Sequence, residues 1–240
     1  MKQSGNLVTA ALLVAGAVIV NVAFVGLGSA FDYPDVLGRP AGEVLEMFAQ
    51  NEGAVVALFA LLAFGAGLLG PIAVRLGRLS ELPSMRWAVR AGVAAAIVQV
   101  VGLTRWVFIV PWLSDRASEA NRVGDAGAAA SVEETFVTIN HLLGVIVGET
   151  FGYALTAAWT LLVILALRSH LPAWLRLLGI PAAILIATGL LIPFGVPGTD
   201  MANFVGYVLW SIWLIALAVV LVRKRTQGTA EARLSTTPSS

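Results

Sequence analysis

The chain has 240 residues, of which 58% are hydrophobic and only 12% are charged, and its mean hydropathy is +0.88. A soluble domain carries about a quarter charged residues because it needs a polar surface, so this composition predicts a protein whose main solvent is lipid. The chain has no cysteine, which excludes disulfides, thiolate metal sites and thiol catalysis, and its two histidines argue against a histidine-rich metal site.

Six apolar runs follow one another along the chain, each long enough to cross a hydrocarbon core of about 30 Å, which takes roughly 20 helical residues. The runs are too long for barrel strands and lack the alternation of polar and apolar residues that such strands show. Since lipid offers no water to satisfy backbone groups, we expect α-helices. The predicted fold is all-α: one polytopic membrane helix bundle over residues 1–226, then a disordered cytoplasmic tail, 227–240. The predicted spans are 7–28, 53–76, 87–113, 136–167, 174–193 and 202–222.

The first run has features of a secretory signal, because Lys2 precedes it and Gly28-Ser29-Ala30 resembles a cleavage site. The apolar core of a signal is usually about 7–15 residues long, and this run is longer. We therefore predict an uncleaved first span.

The basic residues predict the orientation. With the N-terminus inside, cytoplasmic segments hold eleven Lys and Arg, against three outside (Arg39, Arg116 and Arg122), while eleven acidic residues lie outside and two inside. Since basic loops stay in the cytoplasm, both termini are expected there.

Two outer loops carry further signals. In the first, Pro40 followed by Val44, Leu45 and Phe48 on one face predicts a short amphipathic helix on the outer surface; a plain acidic loop is the alternative. The other, residues 114–135, is predicted to be a polar loop that ends at a capping box in which Ser131 and Glu134 open the fourth helix.

Two spans also resemble each other. Gly152-Tyr153-x-Leu155-x-x-x-Trp159 recurs as Gly206-Tyr207-x-Leu209-x-x-x-Trp213, which aligns Glu149 with Asn203. If the likeness reflects duplication, hairpins three–four and five–six form a parallel repeat, a common device in transport folds. Chance similarity between two aromatic-rich helices is the alternative.

Two ionisable residues lie inside spans, where charge is costly and usually paired. Counted from Arg90 and Arg168 at about 1.5 Å per residue, Arg105 and Glu149 both lie roughly 22–28 Å above the inner interface. Opposite charges at one height on adjacent helices predict an ion pair. Other polar side chains are expected at or above that level, where they could line an outward-facing cavity: Asn21, Asn140, His141, Tyr153, Asn203 and Tyr207.

This set has two interpretations. The pair could be a clamp between two helices, completed by Tyr and Asn hydrogen bonds, or it could be a site that handles a ligand or a proton. Beside it, Gly144, Gly148 and Gly152 follow each other at four-residue spacing, which predicts close approach of another helix to the fourth. His141 alone is typical of an interfacial histidine without a specific task.

Several strings resemble an uncharacterised family of six-span bacterial inner-membrane proteins, a domain of unknown function. They are Phe31-Asp32-Tyr33-Pro34-Asp35-Val36-Leu37, Arg39-Pro40, Glu43-Val44-Leu45, Gly102-Leu103-x-Arg105-Trp106, Val110-Pro111, Asn140, Gly148-Glu149, Gly152-Tyr153 and Asn203-x-x-Gly206-Tyr207-x-Leu209-Trp210. The resemblance implies the fold and a bacterial inner-membrane location, and it carries over no catalytic role.

The favoured hypothesis is a non-enzymatic protein that binds or transports a small amphiphilic or lipid-like molecule in a pocket between helices three, four and six. Arg105 would meet an anionic group there, with Glu149 beside it. The alternatives are an intramembrane enzyme with Glu149 or His141 as base, which needs a substrate within hydrogen-bond reach, and a structural or regulatory subunit. We expect the lipid bilayer and the amphiphile as partners, a homo-oligomer as a further option, no nucleic acid, no metal and no cofactor.

Overall fold

The computed structural model describes residues 2–235, and their side chains and burial between residues 6 and 223. Six helical segments are long and apolar enough to cross a membrane, and no strand occurs among the described residues. The all-α prediction with six spans is therefore confirmed. The spans run over Asn6–Phe31, Glu52–Leu79, Pro83–Val123, Ala126–Ala166, Ala173–Phe194 and Thr199–Arg223.

The α-helices are α1 (Lys2–Phe31), α2 (Ala41–Gln50), α3 (Glu52–Gly67), α4 (Leu69–Leu76), α5 (Pro83–Phe108), α6 (Val110–Val123), α7 (Ala126–Ile139), α8 (Gly152–Ala166), α9 (Ala173–Ala187) and α10 (Thr199–Ser235). A π-helical segment, Asn140–Phe151, joins α7 to α8. Short 3-10 helices cover Asp35–Gly38, Gly77–Leu79 and Thr188–Phe194. The backbone of α10 runs through the first part of the tail predicted at 227–240, and residues 236–240 lie outside the described residues.

The six spans form a closed ring in chain order. Each span packs along the one before it and the one after it, and α1 packs against α10 to close the ring. Consecutive helices joined by short connections are antiparallel neighbours, so this arrangement follows directly from the loop lengths.

The third and fourth spans are much longer than predicted. Residues 114–135, predicted to form a polar loop, instead belong mostly to α6 and α7, two 14-residue helices that meet at Gly124. The capping box at Ser131 and Glu134 is wrong: Asp125 caps α7, its side chain accepting a hydrogen bond of 3.0 Å from the backbone N–H of Ala128. Alanine has the highest helix propensity, so the Ala-rich sequence after Asp125 favours helix over loop. At about 1.5 Å per residue the hairpin is roughly 21 Å long.

The amphipathic helix predicted in the first outer loop is α2. Its apolar residues Val44, Leu45 and Phe48 are fully buried, and α2 packs on the α6–α7 hairpin. The Ser114 hydroxyl donates a 3.2 Å hydrogen bond to the carbonyl of Leu45 and ties the two together. The apolar face of α2 is therefore covered by protein. Packing on α2 stabilises the polar α6–α7 hairpin, which extends beyond the apolar part of the spans.

Glycines and tryptophans join the spans of the two predicted repeat units in the same way. A Cβ added to Gly92 would lie 2.5 Å from the indole of Trp159, and one added to Gly179 would lie 2.5 Å from the indole of Trp213. In each case an odd-numbered span offers the glycine and the next span the tryptophan. Gly92 and Gly102 are ten residues apart, as are Gly179 and Gly189. The glycine–tryptophan contacts are thus equivalent in the two hairpins.

Candidate functional site

A layer of polar side chains separates two apolar clusters. The outer cluster surrounds Trp106 and includes Phe31, Phe48, Phe59 and Phe136, while the inner cluster surrounds the tryptophans of the fourth and sixth spans. On the third span the inner cluster ends at Ala96 and the outer one begins at Trp106. What we call the polar layer lies between them and consists of Tyr33, Arg105, Asn140, Glu149, Tyr153 and Tyr207.

Arg105 is the anchor of this layer. It is 4% exposed, and its guanidinium donates to the side-chain oxygen of Asn140 from Nε (3.2 Å) and Nη2 (2.9 Å) and to the carbonyl of Gly102 from Nη1 (2.5 Å). Its guanidinium carbon also lies 5.3 Å from the centre of the Trp106 ring, within cation–π range. A buried cation is tolerated when its donors are satisfied in this way.

The direct ion pair between Arg105 and Glu149 is not formed. Among the described residues, no cation lies within 4 Å of the Glu149 carboxylate and no hydrogen bond reaches it. Its charge nevertheless acts on Arg105 and on all three tyrosine hydroxyls, so the side chain lies within the polar layer. The clamp between helices three and four is therefore Arg105 with Asn140, and Glu149 is left with electrostatic contacts.

The π-helical segment provides the room for this arrangement. Its i→i+5 hydrogen bonding makes a wider helix, and such segments occur frequently at functional sites. A Cβ at Gly144 would lie 2.6 Å from Nη2 of Arg105, so the guanidinium rests directly on the helix backbone. Gly148 meets Gly102, and Gly152 meets Gln99. The three glycines predicted to allow a close approach thus lie against the third span.

Tyr153 and Tyr207 form the inner edge of the layer. Their ring centroids are 5.9 Å apart, and both rings pack on the inner apolar cluster. The Tyr207 hydroxyl interacts with Thr156, whose own hydroxyl accepts a 3.2 Å hydrogen bond from Gln99. The inner edge is therefore tied to the third span by neutral hydrogen bonds.

Tyr33 is a member of the layer that the sequence interpretation did not single out. It comes from the first outer loop, and its ring packs edge-on against Phe59 (5.4 Å between centroids) and Phe24 (5.7 Å). Burial raises the pKa of Tyr33 to about 12; the negative charge of Glu149 adds to the rise, and Arg105 opposes it. The available signal was a tyrosine among the acidic residues Asp32 and Asp35 at the start of the loop.

Asn203 and Asn21, two further predicted site residues, form their hydrogen bonds outside the polar layer, although Asn203 lies next to Tyr153 at Gly189. The Asn203 amide donates a 2.7 Å hydrogen bond to the carbonyl of Ile186 in the last turn of α9, where a 3-10 helix follows. Asn21 donates to Ser211 (2.9 Å) and so joins the first span to the sixth. Both side chains have structural tasks at helix contacts.

A cleft of about 190 Å³ opens beside the layer, between the first outer loop and the fourth span. Its polar lining is Arg39, Asn140 and His141, and its apolar lining is Leu37, Ala41, Val44, Phe136, Val137 and Val145. Arg39 is half-exposed and pairs with Asp32 at 2.5 Å. The pocket was expected between helices three, four and six. The observed cleft lies at a different place because Tyr33 and its loop occupy the outer side of the layer. Asn140 faces both the cleft and Arg105.

These features define a multi-pass helical membrane protein with a polar layer near one end of the bundle. The chain belongs to the family described as a domain of unknown function (DUF4386), whose model matches residues 8–218. No curated protein and no solved structure matches the chain.

Proposed function

We propose that this protein binds a small amphiphilic, lipid-like molecule in the outer cleft. The observation that supports this most directly is the composition of the cleft, where Arg39, Asn140 and His141 share the lining with apolar side chains. Ligand sites combine an apolar lining with a few polar groups in this way. The polar head would lie against the three polar residues.

The size of the cleft limits what enters it. At about 190 Å³ it is smaller than the roughly 300–1,000 Å³ typical of sites that enclose a whole ligand. A head group therefore fits inside while the apolar part stays outside. Val137 at the cleft is 56% exposed, so the fourth span offers an apolar surface for a tail at the mouth of the cleft.

The charges favour a head group with an acidic function. Arg39 is reachable from solvent, and Arg105 lies directly behind the Asn140 amide, which accepts its hydrogen bonds. An acidic group would compete with Asp32 for Arg39, and hydrogen bonds to charged donors are the stronger ones. A head group bound at the Asn140 amide would alter the hydrogen bonds between Asn140 and Arg105, and in this way it would affect the polar layer.

The site would face the outside of a bacterial cytoplasmic membrane, with both termini in the cytoplasm. The distribution of basic residues supports this orientation, because the cleft lies at the end of the bundle that is poor in Lys and Arg.

Two tryptophan variants on one helix test the proposal. Val137→Trp fills the cleft, whereas Leu142→Trp adds the same bulk at an equally exposed position outside the cleft. Native mass spectrometry of gently purified protein should show a retained amphiphile in the wild type and in Leu142→Trp, and its loss in Val137→Trp. Equal retention in both variants, or none in the wild type, would overturn the proposal.

A further inference from the structure

A second cleft, unrelated to the outer one, lies at the opposite end of the bundle. It has a volume of about 310 Å³, and its lining is Gly77, Met85, Arg86, Val89 and Arg90. It is formed where the connection after α4 meets the first two turns of α5. Its two arginines are four residues apart, so they project from the same face of α5.

Within the described part of the chain these arginines have no acidic partner. Among the described residues, no carboxylate lies within 4 Å of Arg86 or Arg90, nor of Arg75 and Arg78 beside them. The one acidic residue of the connection, Glu81, is exposed and forms no ion pair with them. Two guanidinium groups without a carboxylate partner between residues 6 and 223 therefore share one concave surface.

Their position in the helix makes this arrangement unfavourable without an anion. Arg86 lies in the first turn of α5, which starts at Pro83. The N-terminal end of a helix carries a partial positive charge, and cations placed there are destabilising. An anion bound in the cleft would remove the repulsion between these groups and complement the positive end of the helix.

The cleft lies at the head-group level of a bilayer, and this position indicates a membrane ligand. Trp87 is 60% exposed, and the guanidinium carbon of Arg90 lies 4.8 Å from the centre of its ring. Exposed tryptophans at helix ends mark the head-group level of a bilayer. Met85 and Val89 add apolar side chains to the lining.

We infer that this cleft binds the phosphate of an anionic phospholipid from the leaflet that surrounds it. Arg86 and Arg90 hold the phosphate, Trp87 fixes Arg90 at head-group height, and the acyl chains lie along the exposed apolar surface of the third span. Basic pockets at the cytoplasmic end of membrane helices bind anionic lipids by the same chemistry. The inference does not depend on the outer cleft.

The test is a titration of purified protein in neutral detergent with phosphatidylglycerol, with phosphatidylcholine of the same acyl chains, and with free glycerol phosphate. A ligand that binds the native state raises Tm, and the concentration dependence gives Kd. Phosphatidylglycerol should raise Tm at concentrations where the other two probes do not. Arg86→Gln/Arg90→Gln should weaken its binding about thirtyfold, since each basic residue contributes about 1 kcal/mol near anionic lipid.

The matched control is Arg168→Gln/Arg223→Gln, which removes the same charge from exposed positions at the same end of the bundle. This variant should bind phosphatidylglycerol like the wild type, and Arg86→Lys/Arg90→Lys should retain most of the binding because it keeps the charge. Equal weakening in both Gln double variants would mean general surface attraction and would overturn the site. Binding of glycerol phosphate as tight as that of the lipid would overturn the assignment to a membrane ligand.

Discussion

The side-chain oxygen of Asn140 accepts two hydrogen bonds from the guanidinium of Arg105, at 2.9 and 3.2 Å. This contact joins the third and fourth spans inside the outer half of the bundle and leaves the Glu149 carboxylate without a direct partner among the described residues. Two substitutions of Asn140 can therefore separate its effect on stability from its effect on ligand binding.

Asn140→Ala should destabilise the protein by about 2–3 kcal/mol, because a buried charged donor is left without its acceptor. Asn140→Asp should fold, since a carboxylate also accepts from Arg105, but it should lose the amphiphile if the head group is acidic. Thermal unfolding in detergent and native mass spectrometry measure the two effects. Thr138→Ala, at an exposed position on the same helix, is the control, with an expected change within about 0.5 kcal/mol. Unchanged Tm in Asn140→Ala would contradict the role of the contact.

Gly102→Ala should destabilise the bundle by about 1–3 kcal/mol through overpacking. Its Cβ would lie 2.6 Å from Cα of Gly148 and 2.8 Å from the carbonyl oxygen of Leu143, and backbone atoms cannot move aside without separating the two helices. Gly53→Ala is the matched control, because it too is a helical glycine but has nothing within 4 Å. That change should be neutral or stabilise by up to about 1 kcal/mol. Similar Tm values for the two variants would argue against the close contact.

Tyr33 should make stability depend on pH in the alkaline range. Its pKa is about 12 in the folded protein, against an ordinary value near 10 in an unfolded chain. Between these values the folded state keeps a proton that the unfolded state has released, so stability falls as the pH rises through this window. The loss should reach up to about 3 kcal/mol at about 1.4 kcal/mol per pH unit. Thermal unfolding at several pH values should show that the wild type loses stability more steeply than Tyr33→Phe in this range. A parallel decline in both proteins would refute the prediction.

The absence of cysteine allows a direct test of orientation. Asn121→Cys lies near the tip of the α6–α7 hairpin and Glu81→Cys in the connection between the second and third spans, and both positions are exposed. A membrane-impermeant thiol reagent should label the first variant in intact cells and the second after lysis alone. The reverse pattern would place the outer cleft on the cytoplasmic side.

The sequence was most informative where burial of apolar side chains alone determines the structure. Lipid requires long apolar helices, so the number of spans could be read from hydropathy, and the buried face of α2 from the spacing of Val44, Leu45 and Phe48. The α6–α7 hairpin was missed because a polar, Ala-rich segment suits a loop by composition. Its helices become favourable when they pack on α2, and that contact is not visible locally.

The polar layer was less predictable because it depends on geometry beyond regular α-helix. Arg105 and Glu149 were expected to meet because their heights agree, but the π-helical segment brings Asn140 and Gly144 against the guanidinium. Tyr33 reaches the layer from a loop whose path depends on the packing of the whole outer cluster. Residue type and height identified candidates, and side-chain direction decided among them.

The paired contacts of Gly92 with Trp159 and Gly179 with Trp213 give this protein an internal standard. The same small substitution can be introduced at either joint, in one molecule with one set of solvent conditions. A difference between the two responses then reports the local surroundings of each joint. One half of the bundle can thus serve as the reference against which the chemistry of its counterpart is measured.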